Sequence, residues 1–242
     1  MKKTTLITGA GRGIGLEIAK YFASKNENLI LLIRKKKQIK EIDKIKKKYN
    51  SNIQIFIGDL KNTNFINKIG NKIKLVNTIV NNASGENQKF FTKVTEKDLQ
   101  EMIKVNLIAN FLLTQIFVKK MIRNKIKGNI INLGSQLGHV GAHNRSIYCM
   151  AKFAVEGITK ALALDLGKYG IRVNSVAPTK TIVNLNEIKN YKRLNLIKKK
   201  IPLGKFSTSE EIAGIVYFLT TPSAGSITGT SIVSDGGWTA GK

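Results

Sequence analysis

The chain has 242 residues, 42% of them hydrophobic and one, Cys149, a cysteine; it can build one sizeable core and forms no internal disulfide. No window reaches the roughly 18 uninterrupted apolar residues of a membrane span, and Met1-Lys2-Lys3 leads into a strand-like run with no signal-peptide pattern, so a cytoplasmic protein without membrane partners is expected. Lys+Arg 41 against Asp+Glu 15 gives a net charge of +26, which raises nucleic acid, a membrane surface, an acidic carrier protein or a phosphorylated ligand as partners; the lysines fall mostly in helix-like stretches such as 44–48 and read first as a solvated face.

In chain order, a β-branched run at 4–8 predicts a first strand, and the glycine-rich turn Gly9-Ala10-Gly11-Arg12-Gly13-Ile14-Gly15 opens a helix over 14–25. A strand at 28–33 runs into Arg34-Lys35-Lys36-Lys37, a helix is expected at 39–49, and a strand at 52–57 ends on Gly58-Asp59-Leu60. The strand at 76–80 leads to "VNNAS" (80–84), a long helix at 96–123 carries Asn106, and the strand at 129–133 ends in "INLGS" (131–135). "YCMAK" (148–152) opens a helix to 169, the strand at 171–176 ends in "NSVAP" (174–178), and a last strand is expected at 230–234. Continuous apolar strands alternating with helices predict an α/β fold, a parallel sheet covered on both faces, in one domain spanning 1–242. The polar segment 179–205 breaks the alternation, as a flap over a ligand or as a surface excursion.

The glycine turn fits neither common phosphate motif. G-x-G-x-x-G fails at Ile14, and the P-loop ending Gly-Lys-Ser/Thr is missing. Its glycines still suit a strand-to-helix turn whose bare N–H groups meet a phosphate, but alone they leave a nucleotide site and a merely tight turn both open.

Taken with "VNNAS", "INLGS", "YCMAK", "NSVAP" and "DGGW" (235–238), Thr8-Gly9-x-x-x-Gly13-Ile14-Gly15 resembles the short-chain dehydrogenase/reductase family over essentially the whole chain. The resemblance implies a doubly wound Rossmann-type fold with a seven-stranded parallel sheet, a nicotinamide cofactor, and a catalytic set of Asn106, Ser135, Tyr148 and Lys152. It also implies a homotetramer using the helices at 96–123 and 148–169, with Lys152 on the nicotinamide ribose and Asn106 holding a relay water. Cofactor contacts implied with it are Gly9, Gly11, Arg12, Gly13, Ile14, Gly15, Arg34, Asp59, Leu60, Asn81, Ala83, Tyr148, Lys152, Pro178 and Thr181.

Hydride transfer to a carbonyl needs a proton at its oxygen. Tyr148 supplies one if its acidity is tuned; Lys152, at i+4, shares its helix face and is expected to pull the phenol from about 10 toward about 7. Ser135 would hydrogen-bond the substrate oxygen, with a turn-capping serine as the plain alternative. Asn106 is otherwise a buried hydrogen-bonding asparagine. His139 and His143, without carboxylate or cysteine companions, make no metal site.

No carboxylate follows the second strand, so NADP(H) is favoured over NAD(H), with Arg12 and Arg34 clamping the 2′-phosphate. The chain departs from the family pattern at Ser84, Thr179 and Val183, which bears on cofactor affinity. Three function readings follow: a reductase of 3-oxoacyl thioesters on an acidic carrier; a sugar, polyol or small-alcohol dehydrogenase, for which Asn184, Asn186 and Asn190 are polar candidates; and a non-catalytic cofactor- or nucleic-acid-binding regulator. Aromatic residues, 7% of the chain, are too sparse among the lysines to favour RNA.

Overall fold

The computed structural model describes residues 2–181 and 198–241. Val183, Asn184, Asn186 and Asn190, and with them most of the expected flap, lie outside the described residues. Seven strands form one sheet: β1 (Thr4–Thr8), β2 (Asn28–Ile33), β3 (Ile53–Ile57), β4 (Thr78–Asn81), β5 (Asn129–Leu133), β6 (Arg172–Pro178) and β7 (Ser231–Ser234). All neighbours pair in parallel, in the order β3-β2-β1-β4-β5-β6-β7. The order reverses between β1 and β4, so a crevice opens beyond their carboxyl ends, where this class of sheet takes its ligands.

The inner strands β1, β2, β4, β5 and β6 are buried along nearly their whole length because both faces are covered. Along β2, Leu29, Leu31 and Ile33 join one core while Ile30 and Leu32 join the other, the two-residue period of a strand. The first core is closed by α1 (Gly13–Ser24), α2 (Ile39–Lys48) and α7 (Ser209–Phe218), the second by α3 (Thr63–Lys72), α5 (Ala109–Arg123) and α6 (Ser146–Gly167). Phe22 and Phe117, both 0% exposed, are the largest side chains of the two.

Two helices escape a reading by apolar period alone. In α3 only Ile66, Ile69 and Gly70 are buried; Asn62 starts it by accepting from Asn64 N at 2.9 Å. In α7, Thr208 and Glu211 form a capping box.

The long helix expected at 96–123 is α4 (Glu96–Ile103) and α5, joined by a π-turn over Lys104–Ile108 with Asn106 at its centre. A π-turn inserts one residue per turn and swings the next side chains round the axis, a device frequent at functional sites. At 28 residues the helix is long and apolar enough to cross a membrane, yet Leu113, Phe117 and Met121 are wholly buried in the second core.

Candidate active site

Gly9 and Gly13 adopt φ of +65° and +60°, which other residues avoid. The turn's remaining room is used by the chain itself. A Cβ on Gly15 would stand 2.4 Å from Asn82 Nδ2 and 2.5 Å from Gly9 O; one on Gly11 would stand 2.5 Å from the Gln38 amide. Asn82 Nδ2 donates to Thr8 O at 2.9 Å, and Thr8 Oγ1 accepts from the N–H groups of Asn82 and Ala83, each at 2.9 Å. The glycines therefore seat the loop after β4 against the loop after β1. What is left for a phosphate is the start of α1: Arg12 makes no side-chain cap and the first turn holds no acid, so its opening N–H groups point out uncapped with the helix dipole behind them. Ile14 lies in this first turn. These residues fit a dinucleotide's pyrophosphate. Gly15→Ala should cost about 2–3 kcal/mol, because a backbone carbonyl has to move; its urea midpoint measures this.

Beyond β2, Arg34 and Arg12 are both exposed. Gln38, which motif reading missed, braces this corner: its Oε1 accepts from Arg34 N at 3.2 Å and Lys35 N at 2.9 Å. Asp59 accepts from Lys61 N at 2.9 Å, and Leu60 packs on the second core.

Asn81 is 5% exposed and turns inward, its amide donating to Thr114 Oγ1 and Asn132 Oδ1, both at 2.9 Å. Its side chain props the cleft floor, a task the sequence reading had not foreseen. Asn106, 2% exposed, accepts from Gly85 N at 2.6 Å and donates to Gly85 O at 3.3 Å. It thus ties the departure Ser84-Gly85 to the π-turn.

Ser135, Tyr148 and Lys152, distant in sequence, meet at the end of β5. Ser135 caps the turn Gln136–Gly138, accepting from Leu137 N at 3.2 Å, and is hydrogen-bonded to Tyr148 as well; the capping role and the functional one coexist. Lys152 is 4% exposed, donates to Leu133 O at 2.7 Å, and has its Nζ 5.7 Å from the Tyr148 ring centre. Burial pulls its ammonium down to about 8, with Glu156 and Glu86 opposing. The expected acidification of Tyr148 is not what this geometry produces. Burial pushes the phenol up, against the downward pull of Ser135 and of Arg145, whose guanidinium carbon is 5.7 Å from the ring centre. One of the three Lys152 donors goes to Leu133 O, and with burial dominating, the phenol holds its proton firmly.

Pro178 ends β6, and Thr181 donates to Thr179 O at 3.2 Å. His143 is exposed, while His139 reaches Ser231 on β7. The sequence reading also passed over Arg145 and Glu156, which no motif flags.

A doubly wound parallel sheet with an uncapped glycine turn after β1 and a buried serine and lysine flanking a half-buried tyrosine after β5 defines an oxidoreductase working with a nicotinamide dinucleotide. The comparisons agree. A family model described as enoyl-(acyl carrier protein) reductase matches residues 9–239. The 3-oxoacyl-(acyl-carrier-protein) reductase of Rickettsia felis is 33% identical over 97% of this chain and 96% of its own. Among solved structures, a Beutenbergia cavernae protein described as an NAD(P)-dependent gluconate 5-dehydrogenase, with bound NADP, superposes with TM-score 0.91 at 28% identity, covering 98% and 97% of the two chains. A 4-hydroxyisoleucine dehydrogenase complexed with NADH gives 0.90 at 30% identity over 100% of both. The chain belongs to the short-chain dehydrogenase/reductase family.

Proposed function

We propose that the chain is an NADP(H)-dependent reductase of 3-oxoacyl thioesters carried on an acyl carrier protein. The observation that carries the reaction is a half-buried phenol that keeps its proton beside Ser135, since a carbonyl under reduction needs an acid and not a phenolate. The substrate reading is supported by the end-to-end similarity to 3-oxoacyl-carrier-protein reductases and by a charge of +26, complementary to acidic carriers.

The opening N–H groups of α1 at Gly13, Ile14 and Gly15 would hold the pyrophosphate, Asp59 and Leu60 the adenine end, and Arg12 and Arg34 a 2′-phosphate. Ala83, Pro178 and Thr181 would border the nicotinamide half and Lys152 its ribose. When bound, the reduced coenzyme supplies the hydride. Ser135 then orients the carbonyl oxygen, Tyr148 gives that oxygen its proton, and Lys152 steadies the charge left on the phenol. Asn106 holds the loop after β4 closed over this centre and would seat the water that restores the proton.

A second reading, a hydroxy-acid or polyol dehydrogenase, is favoured by the gluconate and 4-hydroxyisoleucine enzymes among the structural relatives. NADPH-linked rates on an acetoacetyl thioester, against gluconate and polyols followed with NADP, decide between the two. Faster turnover of the thioester, weakened by salt, is expected; turnover of the hydroxy acids alone would overturn the first reading.

A cytoplasmic homotetramer completes the reading. A cavity of about 400 Å³ between α4–α5 and α6 is lined by Ile103, Leu107, Phe111, Ala154 and Ile158, and Phe111 and Phe153 are 45% and 48% exposed beside it, an apolar face suited to a second copy. Phe111→Glu should dissociate the assembly in sedimentation experiments.

A further inference from the structure

Glu156 lies on α6 one turn beyond Lys152 and is 7% exposed. Carboxylates are rarely buried unless something holds them. Its Oε2 accepts from Ser175 Oγ on β6 at 2.5 Å. Ser175 Oγ lies 2.8 Å from Ser231 Oγ on β7, which lies 3.0 Å from His139 Nε2.

Ser175 Oγ donates toward both the carboxylate and Ser231 Oγ, so the two serines and His139 tie Glu156 to β6 and β7. Glu156 Oε1 has no hydrogen-bond partner among the described residues; His139 Nε2 lies 3.7 Å from it.

The same carboxylate supports the turn that carries Ser135. A Cβ on Gly134 would stand 2.2 Å from Glu156 Oε1, and one on Gly138 would stand 3.1 Å from its Cγ. The glycines on either side of Ser135 are therefore the space Glu156 occupies.

We propose that Glu156 is a positioning residue of this centre: a buried carboxylate, bonded by Ser175 and set beside His139, that places its charge one helical turn from Lys152 and props the Ser135 turn. The inference rests on Lys152 serving the reaction as proposed above. Lys152 is faced by Glu156 from its own helix, by Glu86 from the loop after β4, and by the Tyr148 ring. Glu156 is faced by His139 from the turn after β5 and by Ser175 from β6. Of the two acids, Glu156 opposes the loss of the lysine's proton more strongly.

The test is Glu156→Gln, which keeps the size and the bond from Ser175 but removes the charge. Titration of Lys152 Nζ by nitrogen NMR, and the alkaline limb of kcat against pH, should both move down by about one pH unit. Ser175→Ala, which leaves the charge, should move them by less than about a third of that. Glu156→Asp should keep the titration near its original position while slowing turnover, because the shorter side chain no longer reaches the Ser135 turn; it also serves if Glu156→Gln fails to fold. An unmoved Lys152 titration in Glu156→Gln, an equal shift in Ser175→Ala, or an equally lowered titration in Glu156→Asp overturns the proposal. Full activity in Lys152→Met would defeat the proposed function instead, and would leave the NMR coupling intact.

Discussion

Tyr148→Phe is expected to lower kcat by about 10²- to 10⁴-fold, the usual worth of a positioned general acid, while leaving the fold and coenzyme affinity nearly unchanged. The ring packs beside Met102, Ile147 and Ala151, contacts that phenylalanine keeps; only the oxygen bonded to Ser135 is lost. Burial pushes this phenol above its ordinary value, so it stays protonated across the neutral range and sets no alkaline limit there. Lys152 sets that limit. Its ammonium is held down to about 8, so carbonyl reduction should be flat below that pH and fall above it as the lysine loses its charge. A Tyr148→Phe enzyme within tenfold of the parent rate would remove the acid from the scheme.

Arg34→Asp is expected to raise the KM for NADPH about 10- to 100-fold and to lower that for NADH. One charge-assisted contact between a guanidinium and a phosphate contributes about 1.5–3 kcal/mol. Arg12 and Arg34 are both exposed, so solvent screening trims the figure to about 1–2 kcal/mol. An aspartate adds repulsion toward the 2′-phosphate and offers the ribose 2′-hydroxyl an acceptor, which moves the two coenzymes in opposite directions. The NADPH preference of the parent should weaken with salt. Equal affinities in the unaltered protein would dismiss the clamp; a salt-insensitive preference would place the discrimination elsewhere, with Gln38 beside Gly11 the first residue to examine.

Much of the architecture is legible along the chain because its causes are local. Burial on both faces gives the inner strands their apolar stretches, and the runs read at 4–8, 28–33 and 129–133 match β1, β2 and β5 to the residue. The helix α3 lies outside the helices read along the chain, and the π-turn around Asn106 has no compositional mark.

The spacing of Tyr148 and Lys152 is likewise a local fact: four residues on a helix place two side chains on one face whatever surrounds them. The run of basic residues after β2 is local too, and with it the leaning toward a 2′-phosphate. Ionisation is different, because it depends on who the neighbours are in space. Tyr148 ends above its ordinary value instead of below it, since desolvation outweighs the pull of Ser135 and Arg145. Long-range packing also turned Asn81 into the cleft floor, filled the glycine turn with Asn82 and Gln38, and placed Glu156 between Gly134 and Gly138. Those contacts join residues tens of positions apart, so no window of sequence contains both partners.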